Sequence, residues 1–216
     1  MIQNAATVGN VYIVEDDADL RRSLDTTLRS MGYAVESFGG ADEFLQQTAD
    51  APGCLLVDLL LPGITGLKLC REVVRKRLPC SFVLMSGHGD VPSAVEAMRL
   101  GAIDFLEKPF SYQQLLTVVD QACRSAQAMC EQCLADAVAA KRLATLTPRE
   151  RQVFDAIADG LVTKEIAKRF NISSRTIDVH RSRIMEKLGI TSHNQLAHLI
   201  AAVSRMQSGA PCGEAG

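Results

Sequence analysis

Four largely apolar runs in the N-terminal half of the chain each lead into a polar or charged residue. They are Val11–Val14 before Glu15, Cys54–Val57 before Asp58, Phe82–Met85 before Ser86, and Ile103–Leu106 shortly before Lys108. A fifth run begins at Ala34, and amphipathic stretches separate the five runs. This alternation is typical of repeated βα units, which form a parallel sheet. The pattern predicts a doubly wound α/β domain with five strands and five helices.

The polar residues that follow these runs are expected to lie in one crevice, because open parallel sheets bind ligands outside the carboxyl ends of their strands. Asp58 ends a buried run and precedes a sharp turn through Pro62 and Gly63, which favours a role as a nucleophile. Glu15 and Asp16 are hard oxygen ligands of the kind that Mg²⁺ prefers. With Asp58 they form a predicted three-carboxylate metal site, where Mg²⁺ would screen the nucleophile from an incoming phosphoryl group.

Two further groups complete the predicted crevice. Lys108 would supply a positive charge, and Ser86 would supply a hydroxyl donor. The Lys108–Pro109 bond is a candidate for the cis form, which only a small minority of such bonds adopt. Asp17 and Asp19 are expected to cap or solvate the first helix instead of joining the site.

Each of these residues has a simpler interpretation when it is taken alone. An Asp at a strand end usually begins a turn, and a Lys-Pro pair usually belongs to a loop. Phosphatases of the haloacid-dehalogenase-like class also use a strand-end Asp with Mg²⁺. They require a second Asp two residues further on, and Leu60 occupies that position here. The combination therefore resembles these phosphatases less than it resembles bacterial response-regulator receiver domains.

Bacterial response-regulator receiver domains carry an acidic pair, a phosphoacceptor aspartate, a hydroxyl switch residue and a lysine in this same order. The residues that resemble them are Glu15 and Asp16, Asp58, Ser86, and Lys108. Residues 86–110 are especially similar to the FixJ subfamily. The match covers the whole predicted sheet and is more specific than any single acidic pair.

This resemblance implies roles for individual residues. A sensor histidine kinase would phosphorylate Asp58, with Mg²⁺ held by the three carboxylates and by the main-chain carbonyl of Leu60. Ser86 and Phe105 would relay the presence of the phosphoryl group. Many receivers carry Tyr where this chain has Phe105, so a phenolic hydroxyl is absent from the predicted switch.

Length and charge indicate a second domain. The chain has 216 residues, which exceeds the roughly 100–150 residues of a typical compact domain. Residues 1–126 contain 11 Lys and Arg against 16 Asp and Glu, a net charge of −5, whereas residues 127–216 contain 12 against 9, a net charge of +3. The basic half fits a polyanionic partner, but this modest charge does not identify nucleic acid without a motif.

A helix-turn-helix pattern lies in the basic half. Residues 147–150, Thr-Pro-Arg-Glu, have capping-box spacing with Pro at the first helical position. Two helices are predicted over Lys164–Phe170 and Ser174–Leu188, and the turn between them has the length that this motif requires. Ser192 and Gln195 predict the start of another helix. The pattern therefore predicts an all-α domain of four helices.

Residues 146–190 resemble, without a gap, the LuxR-type DNA-binding domain of NarL/FixJ regulators. By position, Asp178, Val179 and Ser182 are expected at base edges in the major groove of promoter DNA, where a carboxylate can accept from cytosine and an apolar group can contact thymine. Phosphate contacts are expected from Arg175, His180, Arg181 and Lys187. Thr176 and Arg183 are also expected to contact DNA, because they lie on the same helix face as Asp178, Val179 and Ser182. The alternatives are a plain helical bundle and a sigma-factor-like region, which the preceding receiver disfavours.

The segment between the domains is predicted to be helical. Ser111 and Gln114 have capping-box spacing, and neither Pro nor Gly follows until Pro148. We expect a receiver at residues 9–125, a helical linker at 126–142 and the DNA-binding domain at 143–206. Small and apolar residues form a narrow heptad seam along this helix: Leu116, Val119, Cys123, Ala126, Cys130, Cys133, Ala137 and Ala140. The seam can pair with a second chain or lie on either domain.

Cysteine usage and hydropathy disfavour a cysteine metal site, a secretory signal peptide and a membrane span. Cys130 and Cys133 are the only close pair among seven cysteines, and no His lies nearby to complete a metal site, so reduced cysteines acting as small apolar side chains are favoured. Residues 1–9 lack the charged start and apolar core of a signal peptide. No apolar run reaches the ~18 residues of a membrane span. The sequence predicts a cytoplasmic protein with no membrane partner.

These features together predict a two-component response regulator of the FixJ/NarL type that controls transcription. It would not be an enzyme beyond the self-catalysed gain and loss of its own phosphoryl group. Phosphorylation is expected to cause homodimerisation through the face formed by the fourth helix, fifth strand and fifth helix, and then binding to promoter DNA. RNA polymerase is a further candidate partner.

Overall fold

The structure, a computed structural model, describes residues 8–47, 51–87 and 91–208. The chain forms two compact units, divided between Glu131 and Gln132. The first unit contains a sheet with helices, and the second is helical. Within the ranges that the structure describes, no helix combines the length and apolar character needed to cross a membrane.

The sheet of the first unit has five parallel strands, as predicted. They are β1 (Asn10–Val14), β2 (Ala34–Phe38), β3 (Gly53–Asp58), β4 (Cys80–Ser86) and β5 (Asp104–Glu107). Their spatial order is β2-β1-β3-β4-β5. Every residue of β3 and β4 is buried, because helices cover both faces of the sheet. This arrangement explains why these strands are uninterrupted apolar runs.

Helices connect the strands. They are α1 (Ala18–Ser30), α2 (Ala41–Gln47), α3 (Gly66–Lys76), α4 (Val91–Arg99) and α5 (Tyr112–Leu143). Asp17 caps α1 by accepting from the main-chain N–H groups of Asp19 and Leu20, which confirms its predicted capping role. Gly66 begins α3 so close to Asp58 that an added Cβ would collide with the Asp58 carbonyl oxygen. Glycine at this position therefore allows the helix to start directly behind the strand end.

Helix α5 is the longest in the structure. The predicted capping box is confirmed: the Ser111 Oγ accepts from the Gln114 N–H at 3.2 Å, and the Gln114 side chain accepts from the Ser111 N–H at 2.8 Å. The predicted seam fits the start of the helix, where Val119 and Ala126 are buried. Further along, Ala137 is exposed. The end of α5 is buried through other residues, Ala139 and Leu143, which belong to the core of the second unit.

Four helices follow in the second unit, together with the end of α5. They are α6 (Pro148–Ala158), α7 (Thr163–Phe170), α8 (Ser174–Leu188) and α9 (His193–Ser208). The capping box of Thr147 and Glu150 at the start of α6 is confirmed. Asn171 adopts a left-handed conformation at the end of α7, with φ of 53°, and thereby turns the chain into α8. Phe154, Ile166, Ile177 and other buried side chains of α6, α7 and α8 form the core of this unit.

Candidate functional site

Three carboxylates meet at the carboxyl edge of the sheet. Glu15 directly follows β1, Asp16 comes next, and Asp58 ends β3. One oxygen from each of the three lies within 4.8 Å of the others. Glu15 and Asp58 are buried, whereas Asp16 is exposed. The structure therefore brings together the three residues that the sequence predicted as metal ligands.

Lys108 lies among these carboxylates. Its Nζ is 2.7 Å from Glu15 Oε2 and 3.1 Å from Asp58 Oδ2. The main-chain N–H of Lys108 donates to the carbonyl of Ser86 at 2.7 Å, which ties the loop after β5 to the end of β4. The Lys108–Pro109 bond is cis. Among the described residues, one ammonium group thus faces two buried carboxylates.

The electrostatics of Glu15 follow from this crowding. Burial raises the pKa of the Glu15 carboxyl, the hydrogen bond from Lys108 lowers it, and the negative charge of Asp58 raises it again; the net direction is upward. Three carboxylates and one lysine carry a formal charge of −2. Oxygen ligands with excess negative charge are the donor set that Mg²⁺ prefers, so these residues fit the ion.

Arg21 supports the acidic pair from α1. Its Nη1 donates to the main-chain carbonyl of Glu15 at 2.5 Å and to that of Asp16 at 3.2 Å. Arg21 is not among the site residues predicted from the sequence. No pattern in the sequence separates it from neighbouring arginines such as Arg22, because the contact depends on how the loop after β1 folds back over the helix.

The predicted switch residues lie on β4 and β5. Met85 is opposite Asp58 in the register of β3 and β4, so Ser86 lies one residue further toward the carboxyl edge. Ser86 is only 1% exposed. Phe105 is half-buried and packs against the core beneath the sheet. Leu60, whose carbonyl is a predicted metal ligand, has an exposed side chain in the loop after Asp58.

Helix α8 presents most of the predicted DNA-contacting residues on one exposed face. Ile177, Ile184 and Leu188 form its buried side. The exposed residues that were predicted from the sequence are Arg175, Thr176, Asp178, Val179, Ser182 and Arg183. Val179 is 45% exposed. Glu186 lies four residues after Ser182 on the same face and was not predicted from the sequence.

Three of the predicted phosphate contacts on α8 have other surroundings. His180 is half-buried, and its Nδ1 is buried without a hydrogen-bond partner in the described part of the chain. Arg181 is half-buried and lines a cavity of about 250 Å³ between α6, α8 and α9, together with Phe154 and Leu196. The ammonium of Lys187 pairs with Glu150 of α6. His180 and Arg181 therefore flank the exposed face, whereas Lys187 is exposed but has its ammonium paired with Glu150.

Glu150 is the centre of a compact polar cluster. Its Oε2 accepts from the N–H of Thr147 at 2.8 Å, from the Thr147 hydroxyl at 2.9 Å and from the Nζ of Lys187 at 2.7 Å. The residue is 4% exposed. The Lys187 ammonium and then the Thr147 N–H lower the pKa of the Glu150 carboxyl to about 2. This carboxylate is fully satisfied.

Comparisons with known proteins agree with both sites. The family of response regulator receiver domains matches residues 11–120, and the luxR family of bacterial regulatory proteins matches residues 144–200. The transcriptional regulatory protein FixJ of Bradyrhizobium diazoefficiens is 42% identical over 195 residues, which cover 89% of this chain and 95% of FixJ. This chain is a FixJ-like response regulator. It consists of a receiver domain and a LuxR-type DNA-binding domain, and it regulates transcription.

Other relatives of this FixJ-like regulator support the same assignment. Nodulation protein W of B. diazoefficiens is 39% identical over 91% of the chain and 86% of that protein. The crystal structure of full-length FixJ from B. japonicum matches with 40% identity and a TM-score of 0.55, over 94% of this chain and 98% of that one. The structure of the response regulator StyR matches with 35% identity and a TM-score of 0.71, over 91% and 98%.

Proposed function

We propose that Asp58 of this regulator accepts a phosphoryl group from a sensor histidine kinase, and that this event controls promoter binding. The observation that supports the proposal best is the group of Glu15, Asp16 and Asp58 within 4.8 Å of one another. Mg²⁺ would be held by these carboxylates and the Leu60 carbonyl, and when bound it would neutralise negative charge and orient the phosphoryl oxygens.

In the transfer itself, the Asp58 carboxylate would be the nucleophile. One of its oxygens attacks the phosphorus of a phosphohistidine, an O–P bond forms, the N–P bond breaks, and the imidazole leaves with the electron pair. Water later attacks the same phosphorus, which releases inorganic phosphate and restores the carboxylate. Self-catalysed hydrolysis of this kind requires no separate enzyme.

Lys108 and Ser86 would hold the transferred group. The Lys108 Nζ already lies 3.1 Å from Asp58 Oδ2, so it is placed to pair with a phosphoryl oxygen on that side. The Ser86 hydroxyl, beside the strand end, would donate to another oxygen. Movement of Ser86 together with Phe105 would then carry the signal to the surface around β5.

The surface near β5 is suited to a second copy of the chain. Val91, Val95 and Met98 project from one side of α4 and are 69%, 45% and 52% exposed. Their spacing of four and three residues places them on one face of the helix. Adjacent exposed apolar side chains commonly mark protein–protein interfaces. This face supports homodimerisation of phosphorylated receivers through α4, β5 and α5.

The exposed face of α8 would read promoter DNA. Asp178, Val179 and Ser182 would contact base edges, with Arg175 and Arg183 at neighbouring phosphates. Dimerisation would place two such helices about 34 Å apart, one turn of DNA, so paired half-sites with that spacing are expected.

Three further expectations accompany this function. His180 and Arg181, on the half-buried flanks of α8, remain candidates for phosphate contact. RNA polymerase remains a candidate partner at the promoter. The kinase and the promoter would both be met in the cytoplasm.

Phosphorylation can be tested with acetyl phosphate and Mg²⁺. Wild-type protein should gain one acid-stable, hydroxylamine-labile phosphoryl group, detected by intact mass, and Asp58→Asn should gain none. Asp104→Asn is a matched control, because Asp104 is an exposed aspartate at the start of β5. Phosphorylation of Asp58→Asn would disprove the assignment of Asp58 as phosphoacceptor.

Control of DNA binding is tested by the promoter affinity of the protein with and without phosphorylation. Equal affinities would show that phosphorylation of Asp58 does not control promoter binding.

A further inference from the structure

The last turn of α8 is joined to the first turn of α6 by an ion pair that spans 37 positions of sequence. The Lys187 Nζ lies 2.7 Å from Glu150 Oε2. The Glu150 side chain is 6% exposed, and that of Lys187 is 38% exposed. Exposed ion pairs contribute little to stability, but a pair with one buried and hydrogen-bonded member does not belong to that class.

Glu150 is itself held in place by the start of its own helix. Its carboxylate accepts from both the N–H and the hydroxyl of Thr147, at 2.8 and 2.9 Å, as part of the capping box. The bond to Lys187 therefore links α8 to a fixed point at the start of α6. Arg142, near the end of α5, also reaches α8, where its Nη1 donates to the Leu188 carbonyl at 3.4 Å.

Arg149, the residue before Glu150, contacts α7, which is the first helix of the helix-turn-helix. Arg149 donates to the carbonyl of Phe170, the last residue of α7, at 3.3 Å, and its guanidinium lies 4.5 Å from the centre of the Phe170 ring. A cation at a helix C-terminus is favourable because the last carbonyls lack partners. Two adjacent residues of α6 thus contact the ends of α7 and α8.

The ammonium of Lys187 is already engaged within the domain. Lys187 lies four residues after Arg183, at the edge of the exposed face, but it also neighbours the buried Leu188, and its ammonium is paired with Glu150 of α6. A phosphate contact would have to compete with Glu150 for the ammonium. Withdrawal of the ammonium would leave a buried carboxylate without its cation, which is costly.

We infer that Glu150 and Lys187 form a clamp that positions the recognition helix, with Lys187 acting through Glu150 and not as a phosphate contact. The inference rests on the proposed DNA binding by α8 and replaces the sequence-based role of Lys187. Lys187 is a positioning residue. Its loss shifts α8 relative to α6, and through that shift it lowers affinity for DNA.

The test uses full-length protein and the duplex that wild-type protein selects from a randomised library. Affinity is measured at several salt concentrations for Lys187→Gln, Glu150→Gln, their double variant and Lys187→Arg, at a temperature where circular dichroism shows every variant folded. Arg175→Gln, on the exposed face of the same helix, is the matched control for loss of a phosphate contact. Its salt slope should fall by about one.

The clamp predicts the same loss of affinity in both single variants, roughly three- to tenfold, and no further loss in the double variant. Their salt slopes should equal that of wild type, and Lys187→Arg should retain affinity. A slope reduced by about one in Lys187→Gln, with unchanged affinity in Glu150→Gln, would overturn the inference. So would wild-type affinity in all folded variants, because the pair would then serve stability alone. If wild-type protein selects no duplex, DNA binding by α8 is disproved, and the inferred role of Glu150 and Lys187 in that binding is disproved as well.

Discussion

The two units of this regulator each contain a buried glutamate bonded to a lysine, and the two pairs behave in opposite ways. Glu15 and Lys108 in the receiver are 2.7 Å apart, as are Glu150 and Lys187 in the DNA-binding domain. Both glutamates are almost inaccessible to solvent, at 1% and 4% exposure. Yet the pKa of Glu15 is raised, whereas that of Glu150 is lowered to about 2.

The difference lies in the neighbours of each pair. Lys108 is shared between Glu15 and Asp58, so its single charge does not offset the burial of Glu15. Among the described residues, Lys187 forms an ion pair with Glu150 alone, and Glu150 also accepts from the N–H of Thr147. An incompletely neutralised carboxylate attracts a further cation, whereas a satisfied one holds structure together. The same two residue types would therefore form part of a cation site in one unit, and they link two helices in the other.

The largest expected effect tests whether excess charge makes the receiver site a metal site. Glu15→Gln combined with Asp16→Asn should weaken Mg²⁺ binding by at least about 100-fold, because ligand shells tolerate even indirect changes poorly. Titration calorimetry of the full-length protein measures this, with Asp19→Asn as the control for an exposed acid of α1. Unchanged Mg²⁺ affinity would show that these carboxylates do not bind the ion.

The satisfied pair should lose stability when it is changed. Glu150→Gln should lower the melting temperature of the DNA-binding domain at pH 7 by on the order of 5 °C, because the capping box and the ion pair are both weakened. A carboxyl with a lowered folded pKa stabilises the fold above its ordinary value of 4.5 and loses that contribution as the pH falls toward about 2. The difference in melting temperature between wild type and Glu150→Gln should therefore disappear as the pH falls from 4.5 toward about 2.

A matched comparison separates the ion pair from the cap. Glu165 accepts from the Val162 N–H at 3.0 Å at the start of α7, but it has no lysine partner among the described residues. Glu165→Gln should therefore lower the melting temperature less than Glu150→Gln. Equal effects of the two changes would mean that Lys187 adds nothing to the cap.

The unsatisfied pair should give a shift of the opposite sign. Without Mg²⁺, Glu15→Gln should melt higher than wild type at neutral pH, because the raised pKa of Glu15 means that its ionised form opposes folding. Stability of the wild type rises as the pH falls from that raised pKa to the ordinary value of 4.5, so the advantage of the variant should vanish there. Thermal melts in a chelating buffer measure it, with the exposed Glu36→Gln as control. A lower melting temperature for Glu15→Gln than for wild type would contradict the view that ionised Glu15 opposes folding through its burial and its proximity to Asp58.

The smallest effect on stability should come from the reading face of α8. Val179→Ala should change the free energy of unfolding by less than about 0.5 kcal/mol, because the side chain is exposed. Base preference at one position should nevertheless relax if Val179 contacts a thymine methyl. Val162→Ala, an exposed valine just before α7, should alter neither property. Selection from a randomised duplex library compares the two, and identical preferences would remove Val179 from the reading face.

The strands and helix starts were predictable because local chemistry determines them. Uninterrupted apolar runs mark strands covered on both faces, and their ends share one edge, so the grouping of Glu15 with Asp58 follows from topology. The capping box at Thr147 depends only on residues three apart. The roles assigned to individual site residues remain predictions.

Other features depend on how distant segments pack. Pairing of Lys187 with Glu150 joins residues 37 positions apart. Support of the acidic pair by Arg21 depends on the path of one loop. Arg181 is half-buried where α8 lines a cavity together with residues of α6 and α9. Periodicity identifies the face of a helix, but it does not determine which side chain meets which across an interface.

The complete burial of β3 and β4 has a consequence for how Asp58 is supported. Amide protons in fully covered central strands exchange with deuterium only when most of a domain opens, whereas those of edge strands and surface helices exchange sooner. Asp58 is thus attached to the part of the receiver that should exchange last. Phosphorylation would then leave the exchange of β3 almost unchanged and alter that of β5 and α4, where the surrounding structure opens more easily.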